Sequence, residues 1–280
     1  MTSRSGRAAG AWREIADRVY VLRHPVLDVN ATVVVGEDAA MVVDTLSTPS
    51  QAGELADAVR RVTSVPWLVA NTHHHFDHAY GNQRFAEQPG CQIWGHEEAA
   101  RRLREVTPRR LGELYDKWAG SEPALAGLLD VTVVPPNRTL RDGVTLDLGG
   151  REVALHHFGH GHTDGDIVVH VPDGGVLIAG DLVEEGAPPG FEDSYPLQWP
   201  HTVAELLHLP TEVVVPGHGA LVDHDFVTEQ HDQLTQLAWL IREGHADGAP
   251  AERVAAKAPF GTDVALTAVK RGYAELSGGI

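Results

Sequence analysis

The sequence predicts an α/β fold, and two observations lead to that prediction. Short apolar runs of strand length occur at about 18–24, 31–36 and 40–45, and a helix-like segment follows near 50–62. A second strand-rich pattern extends over residues 131–215. Several of these runs end directly at glycine, aspartate or histidine, and α/β proteins usually place their functional sites at the carboxyl ends of strands.

The first elements are predicted to be a hairpin, a helix and a buried strand. The Gly-Glu-Asp sequence at 36–38 separates the runs at 31–36 and 40–45 and is typical of a hairpin turn. Residues 65–71 form a short apolar run that ends in polar residues, which indicates a buried strand.

Two helical segments are predicted outside the strands. Residues 97–128 have helical patterns that break at Pro108 and Pro123, and we expect an insertion that shapes a substrate pocket. Residues 225–280 are predicted to form a C-terminal helical extension packed on the domain, because apolar residues recur there at helical spacing. These residues are Leu234, Leu237, Ala238 and Ile241. The same helices could instead line the pocket or form the face of a homodimer.

The remaining chain, residues 13–224, is predicted to be one domain that follows a disordered tail over residues 1–12. The start of the tail lacks the apolar region of a signal peptide. No apolar run approaches the ~20 residues of a membrane span. The lone Cys91 cannot form an internal disulfide, and we expect a buried, inert thiol. These features favour a cytoplasmic protein that does not associate with membranes.

The net charge argues against nucleic-acid binding. The chain has 22 basic and 39 acidic residues, which gives a formal charge of −17. The negative electrostatic field of such a chain repels the phosphate backbone of nucleic acids unless basic residues are concentrated in one patch. The most basic stretch, 101–110, is mixed with acids at helical spacing and is interpreted as a solvated helix face. We therefore expect a small-molecule substrate and no nucleic-acid partner.

Metal-ligand side chains are concentrated in the segment that follows the strand at 65–71. The segment has the pattern H-x-H-x-D-H, and its ligand-type residues are His73, His75, Asp77 and His78. Neutral imidazole and carboxylate are preferred ligands of zinc and similar divalent ions. In an extended segment, residues two apart project to the same side, so His73 and His75 can bind one ion. If a helix follows, Asp77 and His78 can bind a second ion. A solvated loop in a chain with 17 histidines is the alternative interpretation.

Three further candidate ligands each directly follow a glycine near the end of an apolar run. They are His162, Asp181 and His218. Glycine lets the backbone turn sharply beside a metal, and a rigid strand fixes the ligand. A glycine–aspartate pair alone is more often a turn, but the repeated strand endings together indicate a metal site.

Taken in order, these motifs resemble those of the metallo-β-lactamase superfamily of αββα metallohydrolases. The resemblance covers about residues 19–223. The motifs that carry the resemblance are Asp44 at the end of an early strand, the H-x-H-x-D-H segment, Gly-His-Thr at 161–163, Gly-Asp at 180–181 and Pro-Gly-His-Gly at 216–219. It implies the metallo-β-lactamase fold, an αββα sandwich of two mixed β-sheets flanked by helices.

By position, the resemblance implies ligands for two ions. The first ion would be bound by His73, His75 and His162. The second ion would be bound by Asp77, His78 and His218. Asp181 would bridge the two ions, and Asp44 would lie behind the ligands and orient them.

The choice of His162 depends on the pattern G-H-T-x-G-D, which fits residues 161–166. His160 is also flanked by glycines and could reach the same ion. We interpret His160 and His157 as loop or supporting histidines. His74 lies between two ligands and is expected to point away from the ions.

The resemblance implies a metal-dependent hydrolase with two zinc ions per chain, and iron or manganese are the alternatives. The expected substrate is an ester, thioester, lactone or lactam, whose carbonyl is attacked by a metal-bridging hydroxide. Asp77 is the expected catalytic residue, because it would aim that hydroxide and transfer a proton. A covalent acyl-enzyme is not expected, since no Ser or Cys lies beside a base in these motifs.

Other functions stay open at this stage. A mononuclear iron persulfide dioxygenase of the same superfamily shares most of the motifs. Weak zinc β-lactamase activity is a second alternative, although those enzymes often have Cys or Ser where this chain has Asp181. A metal-binding module without catalysis is a third, but all seven ligand positions are filled.

The loop at 182–200 is expected at the rim of the pocket. It is rich in glycine and proline and contains Phe191, Tyr195 and Trp199. These aromatic residues could contact an acyl substrate. We favour the interpretation that they pack the loop onto the body of the protein.

Overall fold

The computed structural model describes residues 11–279, and over this range two β-sheets lie face to face between layers of helices. Most of the predicted disordered tail, residues 1–10, lies outside the described residues. Trp12 belongs to that predicted tail, yet its indole Nε1 donates a hydrogen bond to the carbonyl of Ala58 (3.0 Å) and its ring packs on the core. The prediction of disorder therefore does not hold at Trp12, because its large apolar ring is anchored.

The first sheet is mixed and contains the first seven strands in chain order. These strands are β1 (Arg13–Ala16), β2 (Val19–Arg23), β3 (Asn30–Val35), β4 (Ala40–Val43), β5 (Trp67–Ala70), β6 (Ile93–His96) and β7 (Arg138–Leu140). Strands β1 to β4 pair antiparallel, and β4 to β7 pair parallel. The predicted hairpin turn joins β3 to β4, where the amide of Gly36 donates to the carbonyl of Ala39 (2.9 Å).

The second sheet is also mixed and has the order β12-β11-β10-β9-β8. Its strands are β8 (Gly143–Asp147), β9 (Glu152–His156), β10 (Val168–Val171), β11 (Val176–Gly180) and β12 (Val213–Pro216). Only the β11–β12 pair is parallel among the pairs of this sheet. The predicted α/β class with two mixed sheets is confirmed.

The helices connect these strands and continue after the last one. They are α1 (Pro49–Val62), α2 (Phe76–Ala79), α3 (Asn82–Ala86), α4 (Glu97–Arg104), α5 (Pro108–Trp118), α6 (Trp199–Leu206), α7 (His224–Ala246), α8 (Ala251–Ala255) and α9 (Thr262–Leu276), with 3₁₀ turns at Pro123–Asp130 and Pro172–Gly174. The predicted break at Pro108 is the start of α5, where Thr107 Oγ1 accepts from the amide of Arg110 (3.3 Å). Proline suits the first helical position because its missing amide hydrogen is not needed there.

The alternating direction of side chains along the strands divides the core into layers. Val33 and Val35 of β3 pack with Leu55 of α1, on the outer face of the first sheet. Val34 points the other way and packs with Leu155 of β9, in the core between the sheets. Successive side chains of a strand point to opposite faces, so one strand serves both layers.

The last helices cover the outer face of the second sheet. Leu177 of β11 belongs to one buried cluster with Leu234 and Leu237 of α7 and Val269 of α9. The layer order is therefore helix, sheet, sheet, helix, and the C-terminal helices supply much of the fourth layer.

Cys91 is buried two residues before the start of β6. Burial raises the pKa of its thiol to about 11. Because the thiolate is the reactive form, this thiol is inert near neutral pH. Within residues 11–279, the helices are too short or too polar to cross a bilayer.

Candidate metal centre

The predicted ligands come together where strands of both sheets end. Strand β5 ends at Ala70, just before the H-x-H-x-D-H segment, and that segment runs into the short helix α2. Strand β11 ends beside Asp181, and β12 ends two residues before His218. The fold thus joins segments that are far apart in the chain at one edge of the sandwich.

The first cluster consists of His73, His75, His162 and Asp181, whose ligand atoms lie within 4.8 Å of one another. Nε2 of His162 is 2.9 Å from Nδ1 of His75. Oδ2 of Asp181 is 3.4 Å from Nε2 of His162 and 3.6 Å from Nε2 of His73. Three imidazoles and one carboxylate therefore surround a common point.

The second cluster consists of Asp77, His78 and His218. Nε2 of His218 is 3.3 Å from Nε2 of His78 and 3.4 Å from Oδ2 of Asp77. Asp181 lies between the clusters, since its Oδ1 is 3.2 Å from Nε2 of His78 and its Oδ2 is 3.4 Å from Nε2 of His218. All seven residues singled out in the sequence are thus brought into one group.

Each of the five histidines turns its other ring nitrogen toward an oxygen behind the clusters. The pairs are His73 Nδ1 with Thr72 Oγ1 (3.1 Å), His75 Nε2 with Asp193 Oδ1 (3.0 Å), His78 Nδ1 with Asp44 Oδ2 (2.8 Å), His162 Nδ1 with Gly190 O (3.1 Å) and His218 Nδ1 with Leu27 O (2.7 Å). A rear acceptor keeps the hydrogen on the rear nitrogen and leaves the lone pair of the front nitrogen facing the cluster.

Asp44 holds two parts of the H-x-H-x-D-H segment at once. Its carboxylate accepts from the amide and hydroxyl of Thr72, both at 2.8 Å, and from Nδ1 of His78 at 2.8 Å. Its backbone φ is +64°, in the left-handed region that costs a non-glycine residue roughly 1–2 kcal/mol. The carboxylate is aimed at the segment from this strained turn after β4.

The pKa values of the clustered residues differ in direction. Burial alone would raise the pKa of Asp181, but the surrounding histidines outweigh burial and hold that pKa well below its usual range. Burial lowers the pKa of His162 to about 4 and lowers the pKa of His73 well below its ordinary value. At the other three histidines burial is outweighed by the nearby carboxylates, which raise the pKa of His75 to about 9, that of His218 to about 10 and that of His78 well above its ordinary value. Metal ligands must be deprotonated, so an ion that binds here would displace protons from these imidazoles.

Two buried atoms of the clusters make no hydrogen bond within the described chain. They are Nε2 of His73 and Oδ1 of Asp181. A buried polar atom without a partner costs roughly 1–3 kcal/mol, so these two atoms call for a further ligand. Both belong to the sets of imidazole nitrogens and carboxylate oxygens that zinc prefers. The residues present therefore fit a metal site.

The other histidines of these segments lie outside both clusters. His157 stacks on His96 with ring centroids 4.0 Å apart, and the ring of His160 lies 4.4 Å from that of Tyr195. His74 Nε2 is 3.3 Å from Oδ2 of Asp193.

Sequence reasoning missed the acceptors contributed by the loop after β11. Asp193 is 118 residues from His75 and carries no motif of its own. Gly190 contributes only its carbonyl, and its amide donates to Oε1 of Glu184 (3.0 Å). The glycine- and proline-rich composition of this loop predicted its place at the rim but not these contacts.

The aromatic residues of the loop pack onto the body of the protein. Phe191 and Trp199 are 1% and 0% exposed, and the indole Nε1 of Trp199 donates to the carbonyl of Leu182 (3.2 Å). Tyr195 is half-buried, with Arg271 5.7 Å from its ring centroid.

A cavity of about 600 Å³ opens over the clusters. Its apolar lining is Leu27, Phe76, Leu114 and Trp118. Arg110 and Lys117 line it from α5, so the predicted insertion supplies one wall. Its size lies within the range of small-molecule sites, which is about 300–1,000 Å³.

Comparison with known proteins gives the family. The family model of the metallo-β-lactamase superfamily matches residues 24–218, which contain all seven clustered residues and Asp44. The chain belongs to the metallo-β-lactamase superfamily. A solved metallo-β-lactamase from Pontibacter korlensis has the same fold, with a TM-score of 0.61 and 19% identity over 80% of this chain and 98% of that chain.

Curated relatives of this superfamily member include thioester hydrolases. An acyl-coenzyme A thioesterase (MBLAC2) from Gallus gallus is 33% identical over 125 residues, 44% of this chain and 43% of that relative. A hydroxyacylglutathione hydrolase from Hyphomonas neptunium is 27% identical over 185 residues, 65% of this chain and 59% of that relative. These matches span about half the length of the relatives.

Proposed function

We propose that this protein is a dinuclear zinc hydrolase that cleaves thioesters. The observation that carries the proposal is the position of Asp181, whose two carboxylate oxygens face the histidines of two adjacent clusters. His73 Nε2 and Asp181 Oδ1 make no other hydrogen bond in the described chain and would be satisfied by ions held there. His73, His75 and His162 would hold one ion, and Asp77, His78 and His218 the other.

Zinc ions at such a site would lower the pKa of a water toward neutrality and polarise a substrate carbonyl. The chain's own residues would fix the geometry of attack. Asp77 lines the cavity, with its Oδ2 3.4 Å from Nε2 of His218. Its carboxylate would accept a hydrogen bond from the attacking water and hold the proton that is released. This gives Asp77 the catalytic role that the family resemblance implies.

The low basicity of a thiolate leaving group favours a thioester as the substrate. An ordinary thiol has a pKa of about 8.5, so a thiolate can leave near neutral pH without full protonation. An alkoxide or an amine leaving group needs a proton donor. Asp77 would hold the released proton and could return it to such a group, so the preference for a thioester rests on the lower proton demand of a thiolate. Of the two relatives named above, one is named as an acyl-coenzyme A thioesterase and the other as a hydroxyacylglutathione hydrolase.

The cavity supports an acyl substrate. Leu27, Phe76 and Trp118 give it an apolar lining that an acyl chain could contact. Arg110 and Lys117 lie at the same opening, where each pairs with an acidic residue of the lining, Glu113 at 3.6 Å and Glu192 at 3.7 Å. The apolar lining would take the acyl group, and an anionic thiol carrier would compete with these two exposed acids for the cations.

The proposal is tested by metal content and a substrate panel measured on the same preparation. Elemental analysis without added metal should give about two zinc ions per chain. Acyl-CoA and S-acylglutathione thioesters should be hydrolysed with kcat/KM of at least about 10⁴ M⁻¹ s⁻¹. A lactone, an aryl ester and a β-lactam should react far more slowly. The variant Asp181→Asn serves as the inactive control.

Two outcomes would replace the proposal with the alternatives. One iron per chain with oxygen consumption on glutathione persulfide would assign a persulfide dioxygenase. Preference for the β-lactam over every thioester would assign a β-lactamase.

A further inference from the structure

We infer that Arg271 of α9 and Asp193 of the loop after β11 are positioning residues that set the orientation of His75 in the first cluster. The inference rests on the proposed metal site and not on the identity of the substrate. It makes the C-terminal helices part of the metal centre.

The first step is the contact between Asp193 and His75. Oδ1 and Oδ2 of Asp193 lie 3.0 and 3.2 Å from Nε2 of His75. His75 differs from the other four clustered histidines, because its Nδ1 faces the cluster and its Nε2 faces away. A carboxylate at Nε2 keeps the hydrogen on that nitrogen and presents Nδ1 as the ligand atom.

The second step is that the loop cannot fix Asp193 by its own secondary structure. Residues 184–198 contain no helix or strand. The side chain of Asp193 is 40% exposed, and its Oδ2 also lies 3.3 Å from Nε2 of the neighbouring His74. A loop carboxylate that can meet either of two histidines needs its backbone held in place to stay on His75.

Arg271 supplies that constraint from α9. Its Nη2 donates to the carbonyl of Asp193 and its Nε donates to the carbonyl of Ser194, both at 2.9 Å. Two successive carbonyls held by one planar guanidinium fix the peptide unit between them. The guanidinium also lies 5.7 Å from the ring centroid of Tyr195.

The chain offers a matched control on the same helix. Glu275 lies one turn after Arg271 and accepts from the amide of Leu197 and from Nε2 of Gln198, both at 3.0 Å. It ties α9 to the same loop but does not touch Asp193. Removing Glu275 therefore loosens the loop without removing the constraint on His75.

The experiment measures the two stepwise zinc dissociation constants by competition with a chromophoric chelator. The wild type is compared with Asp193→Ala, Asp193→Asn, Arg271→Ala, Arg271→Lys and Glu275→Ala. Asp193→Ala should weaken one of the two steps about 10- to 100-fold and leave the other unchanged. Asp193→Asn should recover most of the loss, because an amide oxygen can still accept from His75.

Arg271→Ala should weaken the same step by a smaller factor than Asp193→Ala, and Arg271→Lys should lie between it and the wild type. Glu275→Ala should change neither step by more than about twofold. If circular dichroism shows that Arg271→Ala does not fold, Arg271→Lys decides the question, since lysine keeps the charge but lacks the planar fork that holds both carbonyls in fixed directions.

Unchanged zinc affinity in Asp193→Ala would overturn the inference. So would equal losses in the Arg271 and Glu275 variants, because these would indicate general stabilisation of the loop. A wild type that binds no zinc would instead refute the proposed function itself. Normal zinc binding without thioester hydrolysis would refute only the substrate.

Discussion

Asp44 accepts a hydrogen bond from Nδ1 of His78 at 2.8 Å while its backbone lies at a φ of +64°. The same carboxylate accepts from the hydroxyl of Thr72, whose oxygen is 3.1 Å from Nδ1 of His73. One residue at the end of β4 thus orients a histidine of each cluster. The first sheet positions both halves of the centre through this carboxylate.

Replacement of Asp44 should separate the effect of the carboxylate from that of the backbone. In the metal-free protein, Asp44→Ala should lower the free energy of unfolding by about 3 kcal/mol or more, because buried hydrogen bonds to a charged group contribute about 1.5–3 kcal/mol each. Asp44→Asn should lose less, since asparagine also tolerates the left-handed region. Urea unfolding measures these differences.

Asp44→Gly is the control for backbone strain. Glycine adopts a φ of +64° without cost but has no carboxylate. It should be somewhat more stable than Asp44→Ala and should still bind zinc weakly. Wild-type zinc affinity in Asp44→Gly would contradict the role of the carboxylate.

The register of the Gly-His-Gly-His sequence can be tested with two alanine variants. His162→Ala should lose one zinc ion per chain, because His162 Nε2 is 2.9 Å from His75 Nδ1 in the first cluster. His160→Ala should retain both ions, since its ring lies against Tyr195 outside the clusters. Elemental analysis after dialysis distinguishes them. Loss of an ion in His160→Ala with retention in His162→Ala would reverse the assignment.

Gly217 is required by the close approach of Asp181. A Cβ atom at residue 217 would lie 1.7 Å from Oδ1 of Asp181. Gly217→Ala should therefore displace this carboxylate and weaken zinc binding at least about tenfold. Gly53→Ala is the matched control, because its Cβ would meet no atom within 4 Å. Equal zinc affinity in the two variants, measured by chelator competition, would show that the carboxylate of Asp181 moves to accommodate the added methyl group and still binds zinc.

Much of the fold and the clustered residues could be predicted from the sequence because both depend on local patterns. Apolar runs that end in ligand-type residues indicated the strands β2 to β5 and the positions of His73, Asp181 and His218. Strand β1, Arg13–Ala16, was not predicted, since its four residues are exposed or half-buried and form no apolar run.

The hydrogen-bond acceptors behind the ligand histidines could not be predicted from the sequence, and the reason is a different one. The carbonyls of Leu27 and Gly190 accept from His218 and His162, and a backbone carbonyl leaves no signature of residue type. Asp193 depends on a constraint from α9, 78 residues further along the chain. Such contacts are set by tertiary packing and become visible only when the chain is folded.

The cations of α5 give a prediction about the thiol carrier, if the protein hydrolyses thioesters. Arg110 and Lys117 line the cavity, with side chains 58% and 56% exposed. Arg110→Glu or Lys117→Glu should raise KM for an acyl-CoA up to about fivefold at low salt, because an exposed charge pair contributes up to about 1 kcal/mol. KM for the neutral N-acetylcysteamine thioester of the same acyl group should not change. Added salt should reduce the difference, since it screens exposed charges.

Arg109→Glu makes the same change in net charge, but Arg109 is 88% exposed and does not line the cavity. Steady-state kinetics should show little effect of Arg109→Glu, and an equal rise in KM would mean that overall charge, not contact with the carrier, governs binding.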